Sequence, residues 1–213
     1  MGTIEEALEF ARNVFGQEAS GHDFHHTYRV YRVAMNIARQ EKADEEIVAL
    51  ASILHDVDDY KLFGGPQGST KNAEGFLTAH KIDPDKIHII LEIIQTLSYK
   101  GTDTIACKSL EGKIVQDADR LDAIGAIGIA RAFAFGGNKR RVMHDPAILP
   151  NLSMNQAEYT ANQGTTINHF YEKLLLLKDR MNTESAKKIA IRRHRLMEDF
   201  LHEFLREWEG DES

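Results

Sequence analysis

Along this 213-residue chain, apolar residues recur three and four positions apart, and no period-two run reaches the length of a strand. That pattern restricts the fold to packed helices, because an amphipathic helix must bury its apolar stripe against another element. From His22 to Gln40, Val30, Val33, Ala34 and Ile37 follow the spacing of one buried face. Asp44 stands as an N-cap before the stripe Ile47, Leu50, Ala51 and Leu54. Asp83-Pro84 puts a cap and an N1 proline in their preferred order ahead of Ile87, Ile90, Leu91 and Ile94. The stretch from about Leu110 to Phe135 is apolar on most sides and carries the small residues of AIGAIGIA, so it reads as one central helix approached closely by its neighbours. Ile167 to Met181 and Glu184 to about Trp208 complete the chain, separated by an Asn182-Thr183 break. The expectation is an all-α fold of roughly eight helices with no significant sheet, in a single domain over residues 1–213.

Composition matters here for what it excludes. Apolar residues at 42% and charged residues at 28% belong to a globular chain that folds on its own. The opening MGTIEEALEFARNVF alternates acids with apolar residues and lacks the basic start and uninterrupted apolar core of a signal peptide. The apolar runs are too short to span a bilayer, which predicts a cytoplasmic protein without a membrane partner. One cysteine, Cys107, excludes an internal disulfide and reads as a small buried side chain. A net charge of −7 argues against broad nucleic-acid binding, since phosphates must be neutralised by Lys and Arg. The long irregular stretch from Gly136 to Thr165 is a candidate lid over a site.

Chemistry concentrates where the apolar run LASILHDVDDYK ends in a histidine and several aspartates. His55 follows Ala51 by four positions, so it and the adjacent Asp56 can face inward. A buried carboxylate needs a cation or hydrogen-bond donors to offset its desolvation. His26 lies four before Val30 on its own apolar face, and Asp119 lies four after Val115 inside the central helix. Two imidazoles and two carboxylates from three helices suit one divalent metal, Mn, Fe, Co, Ni, Zn or Mg, with positions left open for water and substrate. Asp117, two before Asp119, points elsewhere; Asp122 shares the face of Asp119 and can orient a ligand or hold a basic side chain. Asp59 stands three after Asp56, and Arg29 three after His26, both able to reach the same cavity. Asp58 reads as solvated, and His80 and His88 as ordinary polar residues of amphipathic helices.

These residues carry a resemblance. HxxRV at His26 to Val30, LHD at Leu54 to Asp56 and DADRLDA at Asp117 to Ala123 are similar to the HD-domain superfamily of metal-dependent phosphohydrolases. LSYKG (Leu97 to Gly101), GAIGIAR (Gly125 to Arg131) and HFYEKLLLLKDRMNT (His169 to Thr183) resemble its small single-domain bacterial branch. The resemblance implies an HD helical bundle with metal ligands His26, His55, Asp56 and Asp119. It also implies a phosphohydrolase acting on nucleotides or other small phosphorylated metabolites, with nucleoside triphosphate pyrophosphohydrolysis among the activities described for relatives.

In that reading Asp59 orients or deprotonates the attacking water, while Arg29, Lys100 and Lys61 bind phosphate. The lid cluster Lys139-Arg140-Arg141 adds further cations, and Arg120 lies off the face of Asp119. A non-catalytic nucleotide-binding sensor is the alternative. A di-iron oxygenase would need further histidine ligands that His80 and His88 match poorly. The chain is expected to be a monomer or homodimer, with Phe204, Leu205 and Trp208 available to pack on a second chain.

Overall fold

In the computed structural model, the described residues are 2–16, 23–59, 66, 68–98, 107–153 and 164–211. Among them are nine α-helices, one 3₁₀ helix and no strand, which matches the all-α expectation. The helices are α1 (Thr3–Phe15), α2 (Phe24–Glu41), α3 (Glu45–Leu54), α4 (Lys71–Ala79), α5 (Pro84–Ser98), α6 (Leu110–Asp122), α7 (Gly125–Asn138), α8 (Thr166–Glu172) and α9 (Glu184–Glu209). The 3₁₀ helix spans Leu174–Arg180. None of the described helices is long and apolar enough to cross a membrane.

Backbone contacts group the chain into two compact units, Met1–Asp119 and Arg120–Ser213. In the first, α3 packs against α1, α2 and α5. Every residue of α3 from Ile47 to Leu54 is buried, so this helix has no solvent face beyond its first turn. Its N-terminus is defined locally: the Asp44 carboxylate accepts from Glu46 N at 2.9 Å and Ile47 N at 3.1 Å, satisfying two amides that the helix leaves unpaired. Asp83 caps α5 in the same way, accepting from Asp85 N at 2.9 Å.

In the second unit, α9 packs against α7 and the 3₁₀ helix, and α8 packs against α7. Phe133, Phe170, Phe200 and Phe204 form its aromatic core, with ring centroids about 6 Å apart. Residues 142–148 of the expected lid are tied to the start of α8. Thr166 N donates to Val142 O and Ile167 N to Met143 O, both at 3.0 Å, and the Asn168 amide donates to Ile148 O at 2.8 Å. Residues 154–163 of that stretch lie outside the described residues.

Two expected helices are each divided. The stretch 110–135 bends between α6 and α7, where Ile124 is extended (φ −127°) and Gly125 takes the left-handed φ of +75°. A side chain at Gly125 would force Arg193 to shift, because its Cβ would lie 2.9 Å from Arg193 Cγ. The freed carbonyls of the last α6 turn are taken by guanidinium groups: Arg193 donates to Leu121 O, and Arg131 to Asp122 O at 3.3 Å. The stretch 167–181 changes type at Lys173, whose φ of −144° interrupts α8 before the 3₁₀ segment. Four consecutive leucines fall in the 3₁₀ segment. In a 3₁₀ helix positions i and i+3 eclipse, so Leu174 and Leu177 are buried on one side while Leu176 is exposed.

Candidate metal centre

His26 enters on the first turn of α2, whose N-cap Asp23 accepts from His26 N at 2.7 Å. The ring then lies on the buried face with Val30, Ala34 and Ile37 and has no solvent exposure. His55 is the C-cap of α3, and Asp56 follows in the turn; both are 3% exposed. A helix C-terminus carries partial negative charge, so it favours a cation beside it.

The three residues converge. His55 Nε2 is 3.2 Å from Asp56 Oδ2, and His26 Nε2 is 3.6 Å from the same oxygen. One donor atom from each of His26, His55 and Asp56 lies within 4.8 Å of the others. Asp119 Oδ1 stands 3.4 Å from His26 Nε2, at the edge of this trio, and its side chain is 24% exposed. Ligands about 2.1 Å from a common ion are separated by about 3.0–3.4 Å in octahedral or tetrahedral geometry. The observed spacings fit such an ion.

The proton on His55 strengthens that fit. Nδ1 is 2.8 Å from Ser52 O, and a carbonyl oxygen can only accept, so Nδ1 holds the hydrogen. In the neutral ring Nε2 then presents a lone pair. This atom is buried with no hydrogen-bond partner among the described residues, and it faces a carboxylate oxygen. Lone pair against carboxylate in a buried site is unfavourable until a cation or a proton intervenes. The Ser52 contact is the outer hydrogen bond by which metal-binding imidazoles are commonly oriented.

Other anticipated residues divide clearly. Asp59 is half-buried in the turn after the doublet, with its N–H donating to Asp56 O at 3.0 Å. Arg29 is half-buried on α2, one turn beyond His26. Lys61 and Lys100 lie outside the described residues. His80 stacks on Phe76 with centroids 3.9 Å apart and donates from Nδ1 to Phe76 O at 2.8 Å, while His88 is exposed. Neither joins the cluster, the one group of this kind among the described residues. Asp122 holds a basic side chain, with Arg131 Nη1 2.7 Å from its Oδ2. Burial lowers the pKa of Arg193, and the Asp122 charge opposes that shift. Arg120 donates to Arg180 O.

Asp58 is not simply solvated. Its carboxylate accepts from Asn72 N at 2.9 Å and Ala73 N at 3.0 Å, so it caps α4 from fourteen residues away. The cap pins the turn that bears His55 and Asp56 to a second helix. Sequence spacing carried no signal for it, because Thr70 and Ser69 sit where a local cap is ordinarily found.

An all-helical fold with two histidines and two aspartates converging from three helices defines an HD-domain protein, and the chain belongs to that family: residues 23–124 match the HD domain. It is 37% identical over 209 residues to the uncharacterised protein YpgQ of Bacillus subtilis, covering 97% of this chain and 92% of YpgQ. An HD-superfamily hydrolase from Bacillus thuringiensis is 40% identical and superposes with a TM-score of 0.78, covering 97% of this chain and 96% of the hydrolase. YpgQ crystallised in complex with ADP superposes with a TM-score of 0.77 at 32% identity, covering 96% and 97% of the two chains. The chain therefore has the fold of the HD-superfamily hydrolases.

Proposed function

We propose that this protein is a metal-dependent phosphohydrolase acting on nucleotides or similar small phosphorylated metabolites. The observation that carries the reading is the lone pair of His55 Nε2, buried against Asp56 and fixed by the bond from Nδ1 to Ser52 O. His26, His55, Asp56 and Asp119 would hold one divalent ion, His26 and Asp119 across the 3.4 Å that separates them. A divalent ion there supplies Lewis acidity, polarising a phosphoryl oxygen and lowering the pKa of bound water. YpgQ's complex with ADP supports a nucleotide ligand for its relative here.

The remaining work falls to side chains. Asp59 accepts the proton of the attacking water, from a position fixed by its own N–H to Asp56 O. Water adds to phosphorus and the bond to the leaving oxygen breaks in line. Arg29, with Lys61 and Lys100, balances charge on the non-bridging oxygens. The partial exposure of Asp119, beside three nearly inaccessible ligands, makes its side the approach for substrate. Cleavage of the bridge between the α and β phosphates of a triphosphate, which releases monophosphate and pyrophosphate, is our preferred activity.

Incubation of Mn²⁺-loaded protein with a nucleotide panel, followed by ion-exchange separation of products, tests this reading. Monophosphate plus pyrophosphate from triphosphates is expected, and Asp56→Ala should abolish it. Asp59→Asn should lower kcat by about 10²-fold or more while leaving Mn²⁺ affinity unchanged. Absence of turnover above the Asp56→Ala background, over several metals, would leave ADP-like binding without catalysis and favour the sensor role.

A further inference from the structure

The last turn of α6 is held by side chains from later helices. Arg193, on α9, donates to Leu121 O, and a single nitrogen of Arg131, on α7, donates both to Asp122 O at 3.3 Å and to Asp122 Oδ2 at 2.7 Å. Asp122 is 2% exposed, so its pair with Arg131 is a charge-assisted one largely shielded from water. Arg120 O accepts from Ala123 N at 3.1 Å and Leu121 O from Ile124 N at 3.2 Å, so every carbonyl from 120 to 122 has a donor. The chain then folds back tightly. A Cβ on Gly128 would lie 2.3 Å from Ala123 O, so the opening of α7 rests directly on the backbone that leaves α6.

Asp119 stands one turn before Asp122 on the same helix. It differs from the other candidate ligands in its surroundings. The side chains of His26, His55 and Asp56 are enclosed by the core, whereas that of Asp119 is a quarter exposed. Where packing encloses a carboxylate less, the backbone that bears it does more to direct it. We propose that Asp122 and Arg131 are positioning residues for Asp119: their ion pair fixes the final turn of α6 and so holds Asp119 Oδ1 at its 3.4 Å from His26 Nε2. This role rests on Asp119 being a metal ligand, as proposed above. Groups that orient metal ligands from outside commonly change affinity about 10–100-fold when removed. A guanidinium that bound substrate phosphate instead would leave metal affinity unchanged.

Calorimetric titration of the metal-free full chain with Mn²⁺ tests the role without any turnover. R131M keeps an apolar stem and removes the donors; its Kd should rise about tenfold, with R131K falling between it and the wild type. D122N keeps the volume and removes the charge, and should raise Kd about threefold. Thermal melts of the metal-free chains show whether each variant folds. Should R131M fail because it strands the buried Asp122 carboxylate, D122N carries the same test. The deciding comparison is made in D119A, which retains His26, His55 and Asp56 as a weaker set. There R131M and D122N should each change Kd by less than about twofold, since the carboxylate they position is gone. A wild-type Kd in both variants, or the same fold-change with and without Asp119, would overturn the proposal. A wild type that binds neither Mn²⁺ nor another divalent ion would sink the metal reading itself, and this role with it.

Discussion

His169, in the second unit, should make this protein measurably acid-labile. Burial, with the positive charges of Lys173 and Arg141, lowers its imidazole from 6.5 to about 3. An unfolded chain carries the same ring near its ordinary value of about 6.5. Between about 3 and 6.5 the unfolded state therefore binds a proton that the native state refuses. The stability associated with the neutral ring is complete above about 6.5 and is lost as pH falls through that window. Lowering the pH from 7.5 to 5.0 enters the window by about 1.5 units, which at about 1.36 kcal/mol per unit amounts to about 2 kcal/mol. That is a substantial part of a typical total of about 5–15 kcal/mol. Urea unfolding followed by circular dichroism, at both pH values, for wild type and for His169→Gln, measures it. Glutamine keeps a polar side chain of similar reach and does not titrate. The wild type should lose about 2 kcal/mol more than the variant. Differencing the two chains cancels the other histidines, His26 and His55 among them. Equal losses in the two chains would refute the argument that burial and neighbouring cations keep His169 neutral.

Three further outcomes follow from the geometry. Mn²⁺ at a hundred times its Kd should stabilise the wild type by about 2.7 kcal/mol, read as a rise in Tm, and should leave His55→Ala unmoved. Asp58→Ala should cost about 1 kcal/mol in chemical denaturation through loss of the α4 cap, with Asp58→Asn costing less. Gly125→Ala should cost about 2 kcal/mol, from a left-handed φ and displacement of Arg193. Gly16→Ala, where φ is +54° and nothing lies within 4 Å of a Cβ, should cost about 1 kcal/mol in the same assay.

What could be read from sequence divides by the range of the interaction. The caps at Asp44 and Asp83 were legible because the carboxylate and the amides it serves lie within three residues. His26 and His55 were legible as inward-facing because helical phase relates each to an apolar stripe on its own helix. The break at residues 123–124 was hidden, since the cation that takes the carbonyl of Leu121 comes from Arg193, 72 positions later. The leucine run 174–177 fits an α or a 3₁₀ stripe equally well, and only packing chose between them. Ser52, whose carbonyl sets the His55 tautomer, carried no chemical signature, because the group that matters belongs to the backbone. The edge position of Asp119 was likewise beyond helical arithmetic, which gives direction but not depth.

Helix α3 has a consequence for how this protein can vary. From Ile47 to Leu54 every side chain is enclosed, and the helix ends on His55. No position in that stretch lets a substitution drift unnoticed, for any change of volume is felt by α1, α2 or α5 and carried to the last turn. Amide exchange in α3 should be among the slowest in the molecule, opening only with its whole unit. Inheritance of His55 and Asp56 is thereby bound to inheritance of the core: a lineage that kept this fold would lose the proposed metal centre by changes at the four candidate ligands themselves, His26, His55, Asp56 or the more exposed Asp119.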